Sequence, residues 1–237
     1  VSAVATVYPY GIFCDFDGTI AQTDMVTSIM REFVPATTPA ILQAIVSGEE
    51  TIKRGVERLF AEIPSQRYAE LRDYANAQVK LRPGFADFVA LCAERGWLLV
   101  VVSGGFDFFV EPALRPFRDH LQVFCNRLDT REERLRVEWS VPCESDCPGG
   151  CGLCKPSVMA RFAPQVKTRI VIGDGVTDKR MAERADFVFA RDRLLQLCEQ
   201  SGWPHQAFSD FYDVAATLRS GAVSAAMTNK EDSVDEP

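Results

Sequence analysis

The chain has 237 residues, 47% of them hydrophobic, with 26 Lys+Arg against 33 Asp+Glu and a net charge of −7. That suits one large domain, or a core with a small insertion. It speaks against a nucleic-acid partner, which needs a basic face, and no apolar run reaches the length of a membrane span. The N-terminus has no basic region ahead of its mildly apolar stretch, so the expectation is a soluble, cytoplasmic protein. His120 and His205 are the only histidines, which leaves little material for a histidine-centred mechanism.

Tyr8–Cys14 is apolar and β-prone and runs into Asp15, Asp17, Gly18 and Thr19. This predicts a buried strand whose carboxyl end presents two carboxylates on a tight turn. After Thr19 the period changes to that of helices. Val26, Ile29, Met30 and Phe33 share one helix face, and Pro35 and Pro39 interrupt the pattern. Further stripes are Ile41–Val46 and Val56–Ile63, then a helix through Tyr68–Ala75 with Ser65 as its expected N-cap. Residues 22–81 carry no strand signal and read as a helical cap inserted into an α/β core of 1–21 and 82–220.

The core resumes at Arg82. A helix through Phe85–Cys92 ends near Gly96, and Trp97–Ser103 is a continuous apolar run of the kind found in a covered parallel strand. A helix follows, expected to be interrupted near Pro112 and Pro116. Gln122–Asn126 reads as a strand and Leu135–Val141 as another, a candidate half of a hairpin. Lys155-Pro156-Ser157 opens a helix. Arg169–Ile172 is a strand running into Gly173-Asp174-Gly175-Val176-Thr177-Asp178, with a helix to about Ala185 beyond. Strand Phe187–Ala190 and helices around Leu194–Gln200 and Asp210–Leu218 complete the pattern, and 221–237 reads as a disordered tail. The alternation predicts a doubly wound parallel sheet with Asp15/Asp17, Ser103 and Asp174/Asp178 meeting at one edge.

Two carboxylates as close as Asp15 and Asp17 repel unless a cation lies between them, and Mg²⁺ favours such oxygen ligands. Taken singly, Ser103 reads equally as the end of a strand, Lys155 as an exposed helix-start lysine, and Asp174 and Asp178 as a turn acid and a helix N-terminus acid. Together DFDGTI, SGG, a lysine and GDGVTD resemble the haloacid dehalogenase superfamily of phosphotransferases. The resemblance implies a Rossmann-like core in which Asp15 is the nucleophile and Asp17 the general acid and base. It implies Mg²⁺ held by the Asp15 carboxylate, the Asp17 backbone carbonyl and the Asp174 carboxylate. Ser103 and the Gly104 amide would bind phosphoryl oxygens, Lys155 would balance charge, and Asp178 would orient Lys155 or a metal-bound water. An acid at Asp17 points to a phosphatase or a mutase within the superfamily.

SGGFDFF and the helical cap resemble the phosphoserine phosphatase branch. Ser103–Leu114, Val137–Ser157 and Phe189–Asp192 look closer to the phosphatases of methionine salvage. That implies a small phosphorylated metabolite, the enol phosphate of a methylthio five-carbon ketone. Gly175 resembles the phosphoserine motif equally, so phosphoserine or another small phosphate is the alternative, and a non-catalytic metal-binding or interaction module is the third reading. An apolar tail would need an apolar pocket, for which Val26, Ile29, Phe106 and Phe109 are candidates, with Asp24 facing the substrate or starting a helix. Cys143, Cys147, Cys151 and Cys154 lie within twelve residues among Pro148, Gly149, Gly150 and Gly152. Such a loop can wrap a structural Zn²⁺; disulfides, which fit a cytosolic protein poorly, or unligated thiols are the alternatives.

Overall fold

The computed structural model describes residues 7–143 and 149–223. Most of the expected tail, 224–237, and Cys147 lie outside the described residues.

Among the described residues seven strands form one sheet in the order β4-β3-β2-β1-β5-β6-β7. They are β1 (Tyr8–Cys14), β2 (Leu98–Phe106), β3 (Gln122–Asp129), β4 (Arg136–Glu138), β5 (Val166–Gly173), β6 (Phe187–Ala190) and β7 (His205–Ala207). All pair in parallel except β4, which returns antiparallel on β3 and makes the expected hairpin. Side chains alternate between two cores. Ile12, Cys14, Leu99, Val101, Ile170 and Ile172 enter one, while Phe13, Val100, Val102 and Val171 enter the other. A strand covered on both faces has no solvent side, so its sequence reads as an unbroken apolar run.

Among the described residues ten α-helices accompany the strands. Four of them, α1 (Met25–Phe33), α2 (Thr38–Ser47), α3 (Ile52–Phe60) and α4 (Tyr68–Gln78), are inserted directly after β1. The two connections of this insert run side by side, with an antiparallel bridge between Ala21 and Leu81 and the Gln22 amide donating to the Lys80 carbonyl at 2.9 Å. α5 (Phe85–Glu94) precedes β2, and Gly96 follows its end with φ +61°. α6 (Asp107–Leu114) follows β2, α7 (Lys155–Phe162) precedes β5 and the short α8 (Lys179–Ala182) follows it. α9 (Asp192–Ser201) lies between β6 and β7, and α10 (Phe211–Ser220) follows β7.

Two local expectations are corrected, and one strand was not expected. Ser65 does not cap α4: Ser65–Arg67 form a tight turn that leads into it, and the Ser65 hydroxyl has no hydrogen-bond partner. Pro112 does not interrupt α6. Proline lacks the amide that would bond the carbonyl four residues back, and Asn76 of α4 supplies a donor instead, its Nδ2 lying 2.9 Å from the Phe108 carbonyl. The strand β7 had no sequence signal, being three residues long at the sheet edge, where pairing with β6 defines it.

Candidate active site

The strand order reverses at β1: the chain builds outward through β2 and β3 on one side and through β5, β6 and β7 on the other. The carboxyl ends of β1 and β5 therefore flank the crevice where open α/β sheets bind ligands. The Asp15 amide continues the β1–β5 pairing, donating to the Ile172 carbonyl at 2.9 Å.

Beyond Asp15 the chain makes one wide turn, Phe16–Ile20, with Gly18 at φ +77°. A Cβ there would lie 2.3 Å from Asp174 Oδ2, so only glycine lets the loop approach the second acid. Arg82, itself nearly buried, fixes the same turn by donating to the carbonyls of Thr19 (2.7 Å) and Gly18 (2.6 Å). Thr19 Oγ1 donates to Asp174 Oδ1 at 2.9 Å. Asp17 Oδ1 accepts the Met25 amide at 2.9 Å, joining the core acid to the start of α1. Asp24 caps that helix, accepting from the Thr27 amide and hydroxyl, and lines the same cleft.

Lys155 begins α7 and is buried. Its Nζ donates to Asp15 Oδ1 at 2.5 Å and Asp178 Oδ1 at 2.6 Å. The other Asp178 oxygen accepts the amides of Asp174 (3.2 Å) and Gly175 (3.1 Å). Both Asp178 oxygens are thus engaged, and its contacts are those of a group that orients Lys155. Arg191 and Leu194 hold the far side of the turn: the Leu194 amide donates to the Asp174 carbonyl at 2.8 Å and the Arg191 amide to the Gly173 carbonyl at 3.2 Å.

At the tip of β2, Ser103 is fully buried and its Oγ accepts the Gly105 amide at 2.9 Å. Gly104 lines the cleft, with open space where a Cβ would stand. Asn126, absent from the sequence-based candidates, holds this tip: its Nδ2 donates to the Gly104 carbonyl at 2.9 Å, and its Oδ1 accepts the Ser140 amide at 3.3 Å. A lone asparagine inside a strand carries no sequence signal, whereas Thr19 and Arg82 sit beside motifs that could have drawn notice.

Burial, with Asp178 close by, holds the Asp15 carboxyl well above its usual range. Burial and then Asp24 push Asp17 up to about 8, and burial and then Asp178 raise Asp174 to about 6. Burial works against the Lys155 charge, but Asp15 and Asp178 more than offset it and raise its pKa. Without a second cation these acids favour protons over charge.

Among the described residues, one group of three or more metal-type ligands converges: oxygens of Asp15, Asp174 and Asp178 lie within 4.8 Å of one another. An all-oxygen set suits Mg²⁺, and Asp15 and Asp174 fit it best because Asp178 is committed to Lys155 and two amides. Nothing described supports the expected structural zinc. Cys147 lies outside the described residues, and Cys143, Cys151 and Cys154 do not form such a group. Cys154 instead accepts from the Ser157 hydroxyl at 2.9 Å.

The cleft above the acids holds about 290 Å³. Its floor is Asp15, Asp17, Lys155 and Asp174, and apolar side chains of α1–α3 form its upper walls, among them Val26, Met30, Leu42, Ile45, Val56 and Leu59. Of the four apolar residues expected there, only Val26 lines it. Ile29, Phe106 and Phe109 are fully buried core.

The architecture and motif geometry are those of a phosphotransfer hydrolase. The haloacid dehalogenase-like hydrolase model matches residues 12–183, and the chain belongs to that family. Over 208 residues it is 41% identical to the 2-hydroxy-3-keto-5-methylthiopentenyl-1-phosphate phosphatase of Geobacillus kaustophilus (strain HTA426), spanning 88% of this chain and 94% of that protein. It is 37% identical over 227 residues to the protein of the same name from Bacillus velezensis (strain DSM 23117 / BGSC 10A6 / LMG 26770 / FZB42), spanning 95% and 97%. Among solved structures, a substrate-bound phosphoserine phosphatase complex superposes with a TM-score of 0.67 at 20% identity, over 88% of this chain and 97% of that one. That last likeness is one of fold. The chain is an enzyme of the hydrolase class, which sets aside a non-catalytic module. No helix among the described residues is long and apolar enough to cross a membrane.

Proposed function

We propose that this chain is a Mg²⁺-dependent phosphomonoesterase that hydrolyses 2-hydroxy-3-keto-5-methylthiopentenyl-1-phosphate in methionine salvage, in the cytoplasm. The observation that carries the reading is a single cleft with phosphoryl-transfer chemistry at its floor and apolar walls above it. The names of the relatives agree with it. Phosphoserine fits less well. Its carboxylate would need a basic partner, and Lys155, the one basic residue lining the cleft among the described residues, is already bound to two aspartates.

In this reading residues 22–81 form a cap on a core of 1–21 and 82–220, and the paired linkers at Ala21 and Leu81 act as its hinge. A cap over the site excludes water and supplies substrate contacts. An Asp15 carboxylate oxygen attacks phosphorus, forming an aspartyl phosphate as the bond to the enol oxygen breaks. Asp17 holds its proton at neutral pH and delivers it to that leaving oxygen. Asp17 then takes a proton from water, whose oxygen attacks phosphorus and displaces Asp15, releasing phosphate. Mg²⁺, when bound by the Asp15 and Asp174 carboxylates and the Asp17 carbonyl, neutralises charge between the phosphoryl group and the acids. Lys155 balances the remaining negative charge. The Gly104 amide and the Ser103 hydroxyl bind phosphoryl oxygens.

The test is phosphate release with Mg²⁺ from the freshly generated enol phosphate and from phosphoserine at equal concentration, with Asp15→Asn as control. A strong preference for the thioether substrate, lost in the variant, is expected. A preference for phosphoserine would overturn the substrate assignment, and release that survives Asp15→Asn would overturn the mechanism.

A further inference from the structure

We propose that Trp139 is a specificity-determining residue, an aromatic wall against which the apolar tail of the substrate packs; this rests on the phosphatase reading of the cleft. Trp139 lies just beyond β4, far from the catalytic motifs in sequence, yet it lines the cleft beside Val56 and Leu59 of α3. Its position is fixed from several sides. The indole Nε1 donates to Glu57 Oε1 of α3 at 2.6 Å. The ring rests on Gly152, at φ +84°, where a Cβ would come 2.5 Å from Cζ3. The Lys53 ammonium stands 5.9 Å from the ring centroid. Backbone contacts hold the same two segments together: the Lys53 amide donates to the Gly150 carbonyl at 2.8 Å, and Gly150 approaches Thr51 so closely that a Cβ would meet its methyl at 2.9 Å. Asn126 ties the neighbouring Ser140 to the Gly104 tip.

An indole with its N–H already satisfied offers a rigid apolar surface at little entropic cost. With Val56 and Leu59 alongside, that surface favours an apolar tail over a strongly hydrated one. An unbranched apolar tail gains burial. Because Glu57 belongs to α3, the same residue also couples tail recognition to the seating of that helix on the core.

The experiment is kcat/KM for a series of n-alkyl monophosphates, methyl to hexyl, with Mg²⁺. In the unaltered protein kcat/KM rises up to about fourfold per methylene once the tail reaches the walls, the value set by burying one methylene. Trp139→Ala flattens that rise, the loss growing from methyl to hexyl phosphate, and Trp139→Phe gives an intermediate slope. A merely structural role would lower every substrate by one factor. Unchanged slopes in both variants, or a uniform loss, would overturn the inference and leave the phosphatase reading intact. Failure of the unaltered protein to release phosphate from any member would overturn the phosphatase reading itself.

Discussion

Replacing Lys155 with methionine removes the cation from the centre of the acidic cluster at nearly constant volume. In the intact protein Lys155 is 3% exposed and bonded to both Asp15 and Asp178. Without it, carboxylate oxygens of Asp15, Asp174 and Asp178 remain within 4.8 Å of one another. Two unit charges at that separation repel by about 3.5 kcal/mol at an effective dielectric near 20, and removing one partner of a buried ion pair costs about 3–5 kcal/mol. The loss depends on pH in a definite direction. Burial and mutual repulsion already hold Asp15 and Asp174 above their usual values, and the substitution raises them further. An acid whose folded pKa is raised contributes its full stability below the unfolded value, near 4, and loses it as pH rises through the folded value. Lys155→Met therefore destabilises the metal-free protein by about 3–5 kcal/mol at pH 8 and by clearly less at pH 5. Millimolar Mg²⁺ restores part of the difference at pH 8. Urea unfolding with chelator and with Mg²⁺, at both pH values, measures this. A loss equal at pH 5 and 8, or no recovery with Mg²⁺, would refute the electrostatic account of the cluster.

Thr19→Val removes the hydrogen bond to Asp174, and losing about 1 kcal/mol weakens half-saturation by Mg²⁺ about fivefold; a metal titration of phosphate release reads it. Asp17 is pushed up to about 8, so hydrolysis of alkyl phosphates falls as pH rises through that value and the acid loses its proton. Hydrolysis of p-nitrophenyl phosphate, whose leaving group needs less protonation, falls less, and identical alkaline limbs would exclude Asp17 as the acid. Asn76→Leu leaves the Phe108 carbonyl beside Pro112 without its donor and costs about 1–3 kcal/mol. Thermal unfolding checks this, and the companion change Pro112→Ala, which restores an amide, should recover part of it.

The chain by itself determined the sheet and its chemical edge. Local composition suffices for a strand covered on both faces, so Ile12–Cys14, Leu98–Val102 and Ile170–Ile172 announce themselves, and short-range motifs carry Asp15, Asp17, Lys155, Asp174 and Asp178. Helical periodicity located the insert between β1 and α5. Periodicity reports only that a residue is apolar and faces inward, and it cannot say whether it faces core or cleft. Ile29, Phe106 and Phe109 are core, while the half-buried Leu42, Ile45 and Val56 line the cleft. That division depends on how α1–α3 sit over the strand ends. The same holds for Asn126, Arg82 and Trp139, whose partners lie 22, 64 and 82 residues away in sequence. It holds for Pro112 too, which an isolated helix would not tolerate and which Asn76 of another helix makes acceptable. Contacts between distant segments arise only when the chain closes on itself, and they decide which apolar surface is buried and which is left open to a substrate.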